Sequence, residues 1–211
     1  NDCAPEGEAL YERWYQREHL IERVAVPGFR SGRRYEAISG DRRFFTFYEV
    51  DDTDILTSPA YLERLDNPTP WTRDVMAFFR GTIRTVCEVA ASAGEMIGAV
   101  AVTLRAEAPV DATPAACALV EDLARRDGVA RAQLWTAAAR QTRADTREAR
   151  SRGGPDGLIG GALVVECVRR SDAETIAREI GSAETRAALG LTGAATLGVY
   201  GLLCVHARGL R

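Results

Sequence analysis

Residues 28–37 of this 211-residue chain find gapless counterparts one hundred positions on, at 128–137. Gly28-Phe29 aligns with Gly128-Val129, and Arg34-Tyr35-Glu36-Ala37 with Leu134-Trp135-Thr136-Ala137. Tyr48-Glu49-Val50 then matches Val165-Glu166-Cys167, and residues 58–65 match 182–189. Few paired residues are identical. The weight falls on a shared order of elements, which constrains the chain to build one supersecondary unit twice.

That order can be read from periodicity and turn chemistry. Residues 7–25 read as a helix, because Leu10, Trp14, Ile21, Val24 and Ala25 share one arc at about 100° per residue. Pro27-Gly28 ends it. Residues 29–38 and 43–50 read as strands joined by Ser39-Gly40-Asp41-Arg42, a tight-turn composition. A helix over 54–65, an extended Asn67-Pro68-Thr69-Pro70-Trp71 with a short helix after it, and a strand over 82–90 complete the first half. Ser92-Ala93-Gly94 is the expected joint.

The second half reads as strand 97–105, helix 113–126, strands 130–139 and 158–168, helix 172–189 and strand 194–205. Thr113 caps the first of these helices, with Pro114 at its opening position. The polar, Arg-rich stretch 140–157 is an insertion, expected as a loop. Both halves thus follow the split β-α-β-β-α-β pattern. The expected repeats are 1–93 and 94–211. The first is short of its opening strand, so a brief native segment before Asn1 is expected.

A four-stranded sheet with both helices on one face leaves the other face bare, and that face needs a cover. The strands carry large apolar groups on both alternations, Phe44 and Tyr48 on one and Phe45 and Phe47 on the other. A solvated face would alternate with polar residues. The predicted fold is therefore α+β: two ferredoxin-like repeats whose antiparallel sheets pack together as a pseudo-dimeric α+β barrel.

The run Trp14-Tyr15, His19-Leu20, Glu22-Arg23, Pro27-Gly28-Phe29, Arg34-Tyr35 and Tyr48-Glu49 resembles the EthD-like branch of the dimeric α+β barrel superfamily. The resemblance covers about the first ninety residues. The second half departs from it, lacking the helix histidine and the Arg-Tyr pair. The motif bears on fold more than on function. It implies a setting of degradation-pathway proteins, cofactor-free monooxygenases, lactone isomerases and polyketide cyclases, with haem enzymes in the wider superfamily.

Composition removes other classes. All 27 basic residues are Arg, which excludes Schiff-base chemistry, a pyridoxal phosphate anchor and a P-loop lysine. A net charge of -3 gives no basic field for nucleic acid. No stretch is long and apolar enough for a membrane-spanning helix. The five cysteines form no CxxC pair. They read as buried free thiols, which suits a reducing, cytoplasmic setting. Two histidines far apart give no metal-ligand spacing, so neither metal nor cofactor is expected.

His19 is a candidate general acid or base. On the arc above, however, it projects opposite the Leu10/Trp14/Ile21 face, beside Tyr15, and away from its own sheet. Arg34 and Glu49 are candidate catalytic partners. A hairpin turning at Gly40-Asp41 pairs residues whose numbers sum to about 81, which puts Arg34 opposite Phe47 and diagonal to Glu49. Glu166 holds the position equivalent to Glu49, with Arg84 and Glu88 on a neighbouring strand. The same groups read equally as an ion pair fixing sheet register. Tyr35, Phe47, Tyr48 and Trp135, with Phe45 and Tyr200, line a hydrophobic cavity or simply fill the core.

Two functions follow from these residues. One is a cofactor-independent monooxygenase, isomerase or dehydratase/cyclase on a small hydrophobic or aromatic metabolite. The other is a non-catalytic small-ligand or stress-related barrel. A haem-associated barrel, using His206, rests on superfamily analogy alone. An open cavity of roughly 300 Å3 or more touching Glu49 or His19 favours the enzyme, and a filled interior the binder. Either a monomer or a homodimer suits the fold.

Overall fold

The computed structural model describes residues 1–138, 142, 146–152 and 155–209. Strands β2 (Phe29–Ser39), β3 (Phe44–Val50), β5 (Cys87–Ala93), β6 (Val100–Ala106), β7 (Val129–Ala137), β8 (Gly161–Cys167) and β9 (Ala195–Ala207) form one antiparallel sheet. Its order is β3-β2-β9-β6-β8-β7-β5. Short β1 (Asp2–Cys3) and β4 (Phe79–Arg80) pair separately.

Within the second half the order β9-β6-β8-β7 is that of a split βαβ unit. The halves also exchange strands. β2 of the first pairs with β9 of the second, and β7 of the second pairs with β5 of the first. β3 and β7 hold the first and sixth places in the sheet, yet the Phe47 and Trp135 rings meet at 5.1 Å. Arg131 Nη1 likewise reaches Glu49 Oε1 at 2.7 Å. The sheet therefore curls until its inner face closes on itself, an α+β barrel open between β3 and β5.

Helices cover the outer face. In the second half, α5 (Pro114–Ala124), α6 (Arg147–Ser151), α7 (Arg170–Ile180) and α8 (Ala183–Ala188) follow in order. Of these, α5 and α7 bury Val120, Leu123, Ile176 and Ile180 against Leu134, Leu163 and Val165. In the first half, α1 (Glu8–Trp14), a π-helical turn (Tyr15–His19) and α2 (Leu20–Val24) run as one rod. Tyr11, Trp14 and Tyr15 of that rod pack with Phe44, Met76 and Phe79. Helices α3 (Pro59–Asp66) and α4 (Pro70–Met76) start at Ser58 and Thr69, whose hydroxyls accept from the N–H of the third residue of each helix, Tyr61 and Thr72. Gly28 and Gly128 occupy equivalent helix-to-strand turns with φ of 89° and 79°, a region that side chains disfavour.

The π turn corrects the expected helix face. It inserts one extra residue and rotates everything beyond it relative to an ideal α-helix. His19 and Arg23 consequently join Tyr15 in facing the sheet, while Ile21 is 47% exposed. Other boundaries also move. Pro59 restarts the helix expected over 54–65 after a 3-10 turn, Thr53–Thr57. The helix over 172–189 breaks at Gly181-Ser182 between α7 and α8.

β5 begins at Cys87, because residues 82–86 leave the sheet and Ile83 bridges Gly157. Within the insertion, 139–141, 143–145 and 153–154 lie outside the described residues. α6 replaces the expected loop, and Thr142, Thr146 and Glu148 are buried.

β3 is an edge strand. Asn1 pairs with its first residue in both directions, Asn1 N–H to the Phe44 carbonyl at 3.0 Å and Phe44 N–H to the Asn1 carbonyl at 2.9 Å. Among the described residues no strand pairs with that edge beyond Asn1.

Candidate functional site

A cavity of about 880 Å3 opens beside this edge, lined by residues from both faces of β3. Phe45, Phe47 and Glu49 point into the barrel, where Trp135, Tyr200 and Arg131 join them. Thr46 and Tyr48 point the other way, to a lobe against the helical rod that includes Tyr15, His19 and Arg23. The inner walls are stacked rings: Phe45 lies 5.4 Å from both Phe47 and Tyr200.

At one end of the barrel the inner lobe meets a closed ring of four charges. Arg33 donates through Nη1 to both oxygens of Glu166 at 3.0 Å, and through Nη2 to Glu49 at 2.9 Å. Arg131 donates to Glu166 and to Glu49, each at 2.7 Å. The Tyr35 and Ser31 hydroxyls add bonds to Glu166 at 2.8 Å and to Glu49 at 2.7 Å. Every carboxylate oxygen of the pair is occupied. Burial alone would push the Glu49 carboxyl up, but the Ser31 hydrogen bond and the Arg131 and Arg33 charges bring it below its ordinary value. Burial and then the Glu166 charge push the Tyr35 hydroxyl up.

Arg34 is not part of this ring. The hairpin register pairs Arg33 with Phe47 and Arg34 with Thr46, so facing residues sum to 80 and not 81. A one-residue slip exchanges the two faces of a strand. Arg34 therefore turns to the helices, binds Glu12 bidentately at 2.7 and 2.6 Å, and sits among the rings of Tyr11, Tyr15 and Phe44. Its neighbour Arg33 takes the position expected of it.

The helix-face lobe is built differently. His19 is 6% exposed, stacks on Trp14 at 3.9 Å, and meets Tyr15 and Tyr48 edge-on. Burial, with the nearby Arg23 and Arg152 charges, holds its imidazole well below the usual 6.5. It is a neutral base at physiological pH. Arg23 is paired with Glu148 of α6, which also lies 3.7 Å from Arg152; Arg152 in turn bonds Asp156 at 2.8 Å. Burial lowers the Arg23 pKa, and Glu148, together with Tyr61, Tyr48 and Glu22, more than restores it. Four buried polar atoms in this lobe have no hydrogen-bond partner among the described residues: His19 Nδ1, Arg23 Nη1 and the Thr46 and Tyr48 hydroxyls. Burial pushes the Tyr48 hydroxyl well above its ordinary pKa.

Of the residues singled out from sequence, His19, Glu49, Phe47, Tyr48 and Trp135 line the cavity. Tyr35 and Glu166 lie behind it in the ion ring, Arg34 is elsewhere, and His206 pairs with Gly32 on β2, away from the lining. Arg23, Arg33, Arg131 and Glu148 were missed. Arg23 stood within the quoted motif, and Arg33 lay one register step away. Glu148, on an insertion without periodicity, gave no signal. Among the described residues no group of three or more His, Cys, Asp or Glu could hold a metal ion, and no helix is long and apolar enough to cross a membrane.

The chain matches no protein-family model and no curated protein. It is similar to a solved structure described as an anthrone oxidase-like protein, with a TM-score of 0.59 and 17% identity. The match covers 100% of this chain and 91% of that one. At this identity the likeness establishes a related α+β barrel fold.

Proposed function

We propose that this protein is a cofactor-independent enzyme acting on a small hydrophobic or aromatic metabolite, with oxidation by dioxygen as the favoured reaction class. The observation that carries this is the open cavity of about 880 Å3 touching both His19 and Glu49. Its size is that of a small-molecule site, and the rings of Phe45, Phe47, Tyr48 and Trp135 share its walls with many polar and charged side chains. The anthrone oxidase-like neighbour supports the same reading by fold analogy.

His19 is the residue for proton transfer, because it is neutral and buried beside the cavity. A carbon acid between aromatic rings would give its proton to the imidazole, and the electron pair left on the ring system would pass to dioxygen. Glu49 is poorly suited to this task, since all its oxygens are already engaged. The same reading takes residues 1–93 and 94–211 as two copies of one EthD-like unit, supported by the reciprocal pairing of β2 with β9 and β7 with β5.

Anthrone is a suitable probe, since anthrone plus dioxygen yields anthraquinone plus water. Oxygen uptake above the buffer rate is expected, falling roughly a hundredfold or more in His19→Ala. A second reading, a binder without turnover, is favoured by the full occupation of Glu49 and Glu166. Bound anthrone with no uptake above buffer would select it.

A further inference from the structure

We infer that the helix-face lobe is an oxyanion site, which holds the ionised hydroxyl of an aromatic ligand between Arg23, Tyr48 and His19. This deepens the small-aromatic reading above and rests on it.

The unpartnered atoms carry the argument. A guanidinium nitrogen and a phenolic hydroxyl are both donors, and a neutral imidazole protonated on Nδ1 adds a third. Buried donors without acceptors are costly, and native structures rarely leave several in one place. Among the described residues four such atoms line one lobe of a cavity, the Thr46 hydroxyl and the three donors Arg23 Nη1, the Tyr48 hydroxyl and His19 Nδ1.

The charges around them point the same way. Among the described residues Arg23, Arg84 and Arg152, with Arg64 behind them, face Glu148, Asp156 and Glu22, four cations against three anions. Tyr15 and Tyr48, also against the lobe, are pushed up by burial and are uncharged at neutral pH. One negative charge on the ligand balances the set. The aromatic walls of the adjoining lobe favour a ring as the bearer of that charge, since the cavity continues around the edge of β3 to Phe45, Phe47 and Trp135. On binding, the ligand's O–H bond breaks and the proton goes to bulk water. The oxyanion then accepts from the three donors, and His19 Nε2 is left as an acceptor.

The second half of the chain provides an internal contrast. Position 119, equivalent to His19, is Leu, and Val165 stands where the first half has Tyr48. That side is packed as apolar core. The polar atoms are therefore an addition to the first half and not a requirement of the architecture.

4-Nitrophenol, coloured only when ionised, tests the inference at a pH where the free dye is protonated and colourless. Saturable yellow absorbance on adding the full-length protein is expected, and Tyr48→Phe should weaken it about tenfold or more by removing one donor to a charged oxygen. 4-Nitroanisole, which has the same ring without an ionisable hydroxyl, separates the two ideas. Binding of both compounds with no colour from nitrophenol would overturn the oxyanion site and leave the small-aromatic reading standing. Binding of neither would remove both. Colour unchanged in Tyr48→Phe also overturns the inference, as does benzoate that displaces the dye at equal or lower concentration, because the site would then be one for carboxylates.

Discussion

Glu49 and Tyr48 are adjacent in sequence and point to opposite faces of β3, yet their surroundings treat polarity in contrary ways. On the barrel side, two guanidiniums, Ser31 and Tyr35 occupy every oxygen of two carboxylates, and the buried nitrogens left without a hydrogen bond among the described residues, Arg33 Nε and Arg131 Nη2, belong to cations that are already ion-paired. On the helix side, four polar atoms lining the lobe are buried with no hydrogen-bond partner among the described residues. Charge that is fully paired holds a fold in register. Polarity left unpaired inside a cavity is held for something that arrives. The contrast turns the question of which residues act from one of residue type into one of bookkeeping, and it can be broken by experiment.

The largest effect is expected from Glu166→Gln. The carboxylate is almost wholly buried, and its loss leaves two buried guanidiniums short of a partner, a change of roughly 3–5 kcal/mol. Denaturant melts of Glu49→Gln should show a smaller loss, about 1–2 kcal/mol, because its side chain is 26% exposed and water screens what remains. If both variants unfold with the parent, the ring does not hold the barrel together.

A smaller effect concerns pH. The folded protein resists protonating His19, whereas the unfolded chain takes a proton near 6.5. Its contribution is therefore complete above that value and is lost as pH falls below it, at no more than about 1.4 kcal/mol per pH unit for one proton. Melts between pH 7.5 and 5 should slope accordingly, and His19→Gln should flatten that slope. Glu49, held below its ordinary value, enters only at lower pH, whereas burial raises the Glu22 carboxyl. An unchanged slope in the variant would mean that His19 is not held neutral.

The smallest effect has the sharpest sign. Tyr48→Phe should leave stability unchanged or raise it by up to about 1 kcal/mol, since it deletes a buried hydroxyl that bonds nothing among the described residues. A clear loss of stability would show that the hydroxyl has a structural partner after all.

How much of this could be read beforehand depended on which physical signal carried it. The α+β barrel followed from large apolar residues on both alternations of the strands, with Phe44 and Tyr48 on one side and Phe45 and Phe47 on the other, and the structure places them so. The site was harder, because it turns on single-residue phase. One residue in the hairpin register moved the ion pair from Arg34 to Arg33. One extra residue in the π turn swung His19 from the solvent side to the sheet. Hydrophobic periodicity averages over a window and does not register a shift of one. Glu148 and Arg152 were beyond reach, because tertiary packing alone brings the insertion against Arg23.

The edge of β3 has a consequence for exchange of amide hydrogens with solvent. Phe44 directs both its N–H and its carbonyl away from β2, toward Asn1, and strand geometry gives Thr46 and Tyr48 the same direction. Their main-chain groups open on the cavity, whereas those of Phe45 and Phe47 are locked to β2. In deuterated buffer Thr46 and Tyr48 should label fast between slow neighbours. The corresponding strand β8, flanked by β6 and β7, should label slowly throughout. A ligand that lodges against this seam would be recorded by the backbone itself, as protection at every second residue.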